Sequence, residues 1–158
     1  MEEKRIAATP EKIQQLRELC DKYGLEGRGV LEKYTNGELS EKIYNGAGPD
    51  SWLPGARDLL TRLMSLFEPA VLIHDVQFSE SDARRETFDR TAAMWKENCG
   101  KIFDAEYPFW TWRQLRPAYR AARAGWLAVM SAANAAVSGS MAFKAWCAAH
   151  SARGDGDA

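Results

Sequence analysis

Residues 70–78, Ala-Val-Leu-Ile-His-Asp-Val-Gln-Phe, constrain the fold of this 158-residue chain more than any other stretch. A run this apolar belongs inside a core, yet His74 and Asp75 stand at its centre. Two adjacent ionisable groups in a buried helix cost several kcal/mol unless each finds a partner or a metal ion. Successive helical residues point about 100° apart. His74 and Asp75 can therefore serve two neighbouring sites, one for proton transfer and one for a cation.

The surrounding pattern is helical. Ala56, Leu59, Leu60, Leu63, Met64 and Phe67 recur at helical spacing, and Pro69 divides or kinks the run before Val71, Leu72 and Val76. The segment ends near Phe78-Ser79, and Ser81 or Asp82 is placed to cap a following helix with Phe88, Ala92, Trp95 and Cys99 on one face and Gly100 at its end. Nearer the N-terminus, Thr9-Pro10 reads as an N-cap followed by the first helical residue. Ile13, Leu16, Leu19 and Cys20 then follow, and Tyr23-Gly24 closes the helix. Asn36-Gly37 is a turn signal compatible with a small hairpin. From Ile102 the chain is aromatic and basic, and helical pattern resumes near Trp112 or Pro117 and runs to about His150. No strand of convincing length and no internal repeat occurs. The expected fold class is mainly α.

Composition removes several function classes. The formal net charge is −1, so no global basic field recruits nucleic acid. Three scattered cysteines, Cys20, Cys99 and Cys147, make neither a disulfide framework nor a zinc knuckle. Two histidines, His74 and His150, leave no room for a multi-His metal centre; His150, near the tail, is expected to be exposed and inert. The charged N-terminal stretch lacks a signal-peptide core. Together with the few cysteines it points to synthesis in a reducing cytoplasm, with virion or membrane association left open.

Calcium suits the second of the two sites. It takes six to eight oxygen ligands, including carboxylates and backbone carbonyls. Residues 44–55 hold Gly46, Gly48 and Gly55 beside Pro49 and Pro54, and such a loop can turn several carbonyls toward one point. Asp75 with that loop makes a cation site without further acidic residues. His74 then needs a third group to fix its tautomer. If two helices pack antiparallel about a turn near residues 79–83, Asp89 lies across from His74. Asp82 is the alternative, closer in sequence but expected at the cap.

Tyr44-x-Gly46-x-Gly48, His74-Asp75 and Phe88-Asp89-Arg90-Thr91-Ala92-Ala93 together resemble the phospholipase A2 superfamily over about residues 44–95. The resemblance implies a core of two antiparallel helices with a Gly-rich calcium loop and a C-terminal helical extension. It implies calcium held by Tyr44, Gly46, Gly48 and Asp75, a general base at His74 and an orienting carboxylate at Asp89. The implied activity is calcium-dependent hydrolysis of a phospholipid acyl ester. The lack of disulfides departs from the secreted enzymes, as do the longer gap before His74 and Pro49 after the second loop glycine. The chain is closer to disulfide-free forms, namely the parvovirus capsid phospholipase domain and small phage or prophage proteins. Phage structural partners follow as an implication, and a non-catalytic structural or binding module that keeps the fold is the alternative.

The expected organisation is an N-terminal helix and connecting segment (1–43), the phospholipase A2-like core (44–100), an aromatic and basic helical extension (101–150) and a flexible tail (151–158). Arg113, Arg116, Arg120 and Arg123 recur at three- and four-residue spacings, which lines them along one helix face. That face reads either as a patch for a phospholipid or membrane surface or as a solvated, salt-bridged one. Phe109, Trp110, Trp112 and Trp126 flank it. Residues 124–143 carry no formal charge and have the length to cross a bilayer, but their Ala, Ser, Gly and Asn content favours a packed helix with close contacts. A membrane-associated helical protein, in which the His-Asp pair is incidental, is the third reading.

Overall fold

The computed structural model describes residues 8–44 and 64–154. Every regular element among them is helical, as the sequence predicts. The chain divides into two compact units, Met1–Ser79 and Glu80–Ala158.

The first unit begins with α1 (Pro10–Lys22). Thr9 caps it, its hydroxyl accepting from Lys12 N at 3.3 Å, and Pro10 fills the first turn where no N–H is needed. Its C-terminal end is a Schellman motif. Gly24 adopts φ +59°, its N–H donates to Asp21 O at 3.0 Å, and the N–H of Leu25 donates to Cys20 O at 3.0 Å. Ile13, Leu16, Cys20 and Leu25 are buried, so one stripe of the helix and its closing residue enter the core.

A 3₁₀ segment (Arg28–Lys33) follows. The expected hairpin at Asn36-Gly37 is absent, and Asn36–Glu38 is a helical turn instead. The cause is a capping box. Glu38 N donates to Thr35 Oγ1 at 3.2 Å while Thr35 N donates to Glu38 Oε2 at 2.8 Å, which commits the backbone to a helical start. The turn runs into a wider π turn, Leu39–Ile43. The Arg17 guanidinium ties this connection to α1 by donating to the carbonyls of Leu31 and Tyr34.

A 3₁₀ turn, Ser65–Phe67, leads into α2 (Glu68–Glu80). Pro69 lies in the first turn of α2, where its ring is tolerated, so it marks a beginning rather than a kink. Pro69, Ala70, Val71, Leu72, Ile73 and Val76 are buried. Five consecutive buried residues show that the first half of α2 is covered on every side. Cys20 Sγ donates to Pro69 O at 3.4 Å and Lys12 pairs with Glu68, which binds α2 to α1.

The second unit is built on α3 (Arg85–Glu106), α4 (Pro117–Ser138) and α5 (Ser140–Gly154). Arg84 occupies the N-cap of α3 in extended conformation, without a side-chain cap. Asp82 instead accepts from Arg84 N at 3.2 Å. Gly100 does not end α3. Ile102 and Phe103 beyond it are buried, and their burial outweighs the roughly 1 kcal/mol that an interior glycine costs. Trp146 of α5 is 1% exposed. Its ring meets Phe88 edge-on at 5.5 Å, and its Nε1 donates to Asp82 O at 2.9 Å.

The uncharged span 124–143 is not the tightly packed helix expected. Gly139 interrupts it, and α4 contains no buried residue. A helix whose repeating side chain is Ala has little apolar area to insert into a neighbour. Tyr119 and Arg123 secure it instead by polar contacts at its first turns, to Pro108 O and Tyr107 O. Among the described residues no single helix is long and apolar enough to cross a membrane. The pair Pro117–Ser138 and Ser140–Ser151 meets that threshold only when joined across a 51° bend.

Candidate functional site

His74 and Asp75 lie in the second half of α2, where the helix passes from complete to partial burial. Their side chains are 21% and 17% exposed. His74 Nδ1 stands 3.8 Å from Asp75 Oδ1, beyond hydrogen-bond distance. The imidazole stacks on Phe78, one turn on, at 6.4 Å between ring centres. The site thus has a half-buried imidazole that solvent can reach and a carboxylate beside it, as a general base and a cation ligand both require.

Tyr44 is brought to the same neighbourhood from the other end of the unit. The π turn delivers it, with Tyr44 N donating to Leu39 O at 2.7 Å. Its side chain is buried, and burial pushes the phenol pKa well above its usual value. The negative charges of Glu68 and Asp75 push it further in the same direction. The first residue of the Tyr-x-Gly-x-Gly segment therefore lies within the electrostatic field of the carboxylate expected to share its cation. Gly46 and Gly48 lie outside the described residues.

The donor chemistry near Tyr44 fits a hard divalent cation. Two carboxylates, Glu68 and Asp75, create a negative field that a bound cation would neutralise. Glu68 pairs with Lys12, and Asp75 stands beside His74. Among the described residues no cluster of three or more His, Cys, Asp or Glu side chains is positioned to hold a metal. A calcium site of one carboxylate and several carbonyls has a different donor set.

Asp89 belongs to the second unit. It accepts from Arg85 Nε through both carboxylate oxygens, at 2.9 and 3.0 Å. This is an exposed i,i+4 pair on α3. Asp82 is held below the usual carboxylate range, first by a hydrogen bond from Thr87 and then by Arg84 and His150.

The Arg row resolves into two kinds of residue. Arg123 turns inward, donating to Tyr107 O at 3.1 Å and lying over the Phe103 ring at 4.9 Å. Arg116 sits over Trp112 at 4.6 Å, while Arg113 and Arg120 are exposed.

Sequence reasoning missed two features. Glu68 contributes to the field at Tyr44, and its only sequence signal was an acidic residue in the first turn of the apolar helix. His150 is not exposed as expected. It is half-buried, stacked on Trp146 at 5.1 Å, with Nδ1 2.7 Å from Trp146 O and Nε2 3.3 Å from Ser81 Oγ. The four-residue spacing from Trp146 to His150 was the available clue. Comparison with known protein families, with curated proteins and with solved structures finds no match for this chain.

Proposed function

We propose that this protein is a phospholipase A2-like hydrolase that cleaves an acyl ester of a glycerophospholipid with calcium, in a phage or prophage setting. The observation that supports the reading is that the charge of Asp75, with that of Glu68, acts on the buried phenol of Tyr44, the residue that begins the glycine-rich segment. His74 would take the proton of an attacking water, and its half-burial keeps the ring ordered yet accessible. Asp75 would hold the cation together with carbonyls of Tyr44, Gly46 and Gly48. Bound there, calcium supplies Lewis-acid polarisation of the ester carbonyl and stabilises the developing oxyanion. An orienting role for Asp89, with Asp82 as the alternative, rests on the sequence resemblance alone.

Acyl release from phospholipid vesicles, measured with and without calcium, tests this reading. His74→Ala is expected to reduce release to background while the far-ultraviolet circular dichroism stays unchanged. Undiminished release from that variant overturns it. One observation favours a second reading, a non-catalytic binding or virion-structural module. Both oxygens of Asp89 are engaged by Arg85, so the proposed orienting group has a partner of its own. Calcium binding without any acyl release would select that module.

A further inference from the structure

From Tyr107 to Gly154 the chain contains no Asp or Glu, against Arg113, Arg116, Arg120, Arg123, Lys144 and Arg153. The connection from α3 to α4 lies at the start of this stretch and exposes an unusual set of side chains. Trp110 is 92% exposed, Leu115 84%, Trp112 63% and Phe109 55%. Single exposed apolar residues are ordinary, but four within seven positions are not.

These groups are held outward by a defined scaffold. Tyr119 Oη donates to Pro108 O at 2.9 Å. Arg123 Nε donates to Tyr107 O at 3.1 Å, and its guanidinium also lies 5.3 Å from the centre of the Phe109 ring. The Thr111 hydroxyl accepts from Arg113 N at 3.4 Å, starting the short 3₁₀ turn Trp112–Leu115. Phe109, Trp110, Trp112 and Arg120 border one shallow concavity of about 680 Å³.

We propose that Phe109–Arg120 is a docking surface for an anionic phospholipid bilayer. Indole rings settle at the headgroup level of a bilayer, where an apolar body and a polar N–H are both satisfied. Phe109 and Leu115 supply apolar area to enter the interface. Arg113 and Arg120 face headgroup phosphates with no acidic residue nearby in sequence to repel them. Single-stranded nucleic acid fits less well. Phe109 and Trp110 meet edge to face at 89°, so they do not form the parallel platform on which successive bases stack. The surface needs neither His74 nor calcium, and it names the partner on which the proposed hydrolase would act without resting on that activity.

The test is co-sedimentation of the full chain with vesicles of ether-linked phospholipid in EDTA, where no ester can be cleaved. Phosphatidylglycerol vesicles are expected to retain the protein and phosphatidylcholine vesicles to retain it far less. Arg113→Gln with Arg120→Gln is expected to weaken binding about twenty-five-fold, at the scale of roughly fivefold per cation near an anionic surface. Trp110→Ser with Trp112→Ser is expected to weaken it comparably, with the melting temperature of each variant confirming the fold. His74→Ala is expected to bind like the unaltered chain. Binding that ignores the Arg and Trp substitutions, equal retention by neutral vesicles, or retention of a single-stranded oligonucleotide in place of vesicles overturns the proposal. Vesicle binding without acyl release from ester lipid removes the hydrolase reading and leaves the docking surface intact.

Discussion

The buried phenol of Tyr44 lies in the electrostatic field of the Asp75 carboxylate, although the two are 31 positions apart along the chain. The π turn Leu39–Ile43 sets the direction in which Tyr44 enters the core. The burial of Pro69–Ile73 fixes α2 in the same unit. Tyr44 and Asp75 are therefore positioned by packing, and the chemistry proposed for them depends on that packing being maintained.

A calcium ligand at Asp75 predicts a thermal response. Calcium at a hundredfold excess over its Kd should stabilise the protein by about 2.7 kcal/mol. Asp75→Asn should abolish that increase. Differential scanning calorimetry with calcium and with EDTA reads it directly, and identical melting curves for the unaltered protein would remove the cation site.

His74 and Asp89 separate activity from stability. His74→Ala removes a half-buried ring stacked on Phe78 and should cost about 1 kcal/mol. Asp89→Ala removes an exposed i,i+4 pair and should cost under about 0.5 kcal/mol. Both should eliminate acyl release if Asp89 orients the base. Full release from Asp89→Ala would move that role to Asp82 or to no carboxylate.

Trp146 is the largest fully buried side chain of the second unit. Trp146→Ala should cost about 3–5 kcal/mol. Trp146→Phe keeps most of the apolar volume but loses the hydrogen bond to Asp82 O, and it should cost about 1 kcal/mol for that bond, plus a packing penalty. Urea denaturation of the two variants tests the order.

Gly100 offers a gain. It lies inside α3, and a Cβ built there meets no atom within 4 Å. Gly100→Ala should stabilise the protein by about 0.5–1 kcal/mol through helix propensity and a stiffer unfolded chain. A lower denaturation midpoint would contradict the continuous helix.

Alkaline pH should destabilise the fold. Burial raises the Cys20 thiol from 9.0 to about 12 and also raises Cys99 and Tyr44. Each group is protonated when folded, so its contribution is complete below its unfolded pKa and is lost as pH rises toward the folded one. Stability should begin to fall near pH 9 and continue through pH 12. Cys20→Ala should flatten the lower part of that fall at constant ionic strength.

Some of this was legible in the residues themselves. Thr9-Pro10 and Tyr23-Gly24 bracket α1 because a hydroxyl cap, a ring-fixed φ and a left-handed glycine each act within one turn of the chain. Asn36-Gly37 is a turn signal taken alone, but the reciprocal bonds of the flanking Thr35 and Glu38 decide the conformation. Gly100 misled because a helix breaker is a local cost, while Ile102 and Phe103 return a larger gain only when packed.

By itself the sequence determined the helical class, since hydrophobic spacing and capping chemistry are short-range and need no partner. It also singled out His74 and Asp75, because two ionisable groups in an apolar run are costly wherever the helix packs. Tertiary structure decided what each of them meets. The field of Asp75 and Glu68 at Tyr44, the inward turn of Arg123 onto aromatic rings, and the pairing of His150 with Ser81 all arise between residues distant in sequence. Such contacts form only after the chain has closed its loops, and no local pattern records which side chains will then be neighbours.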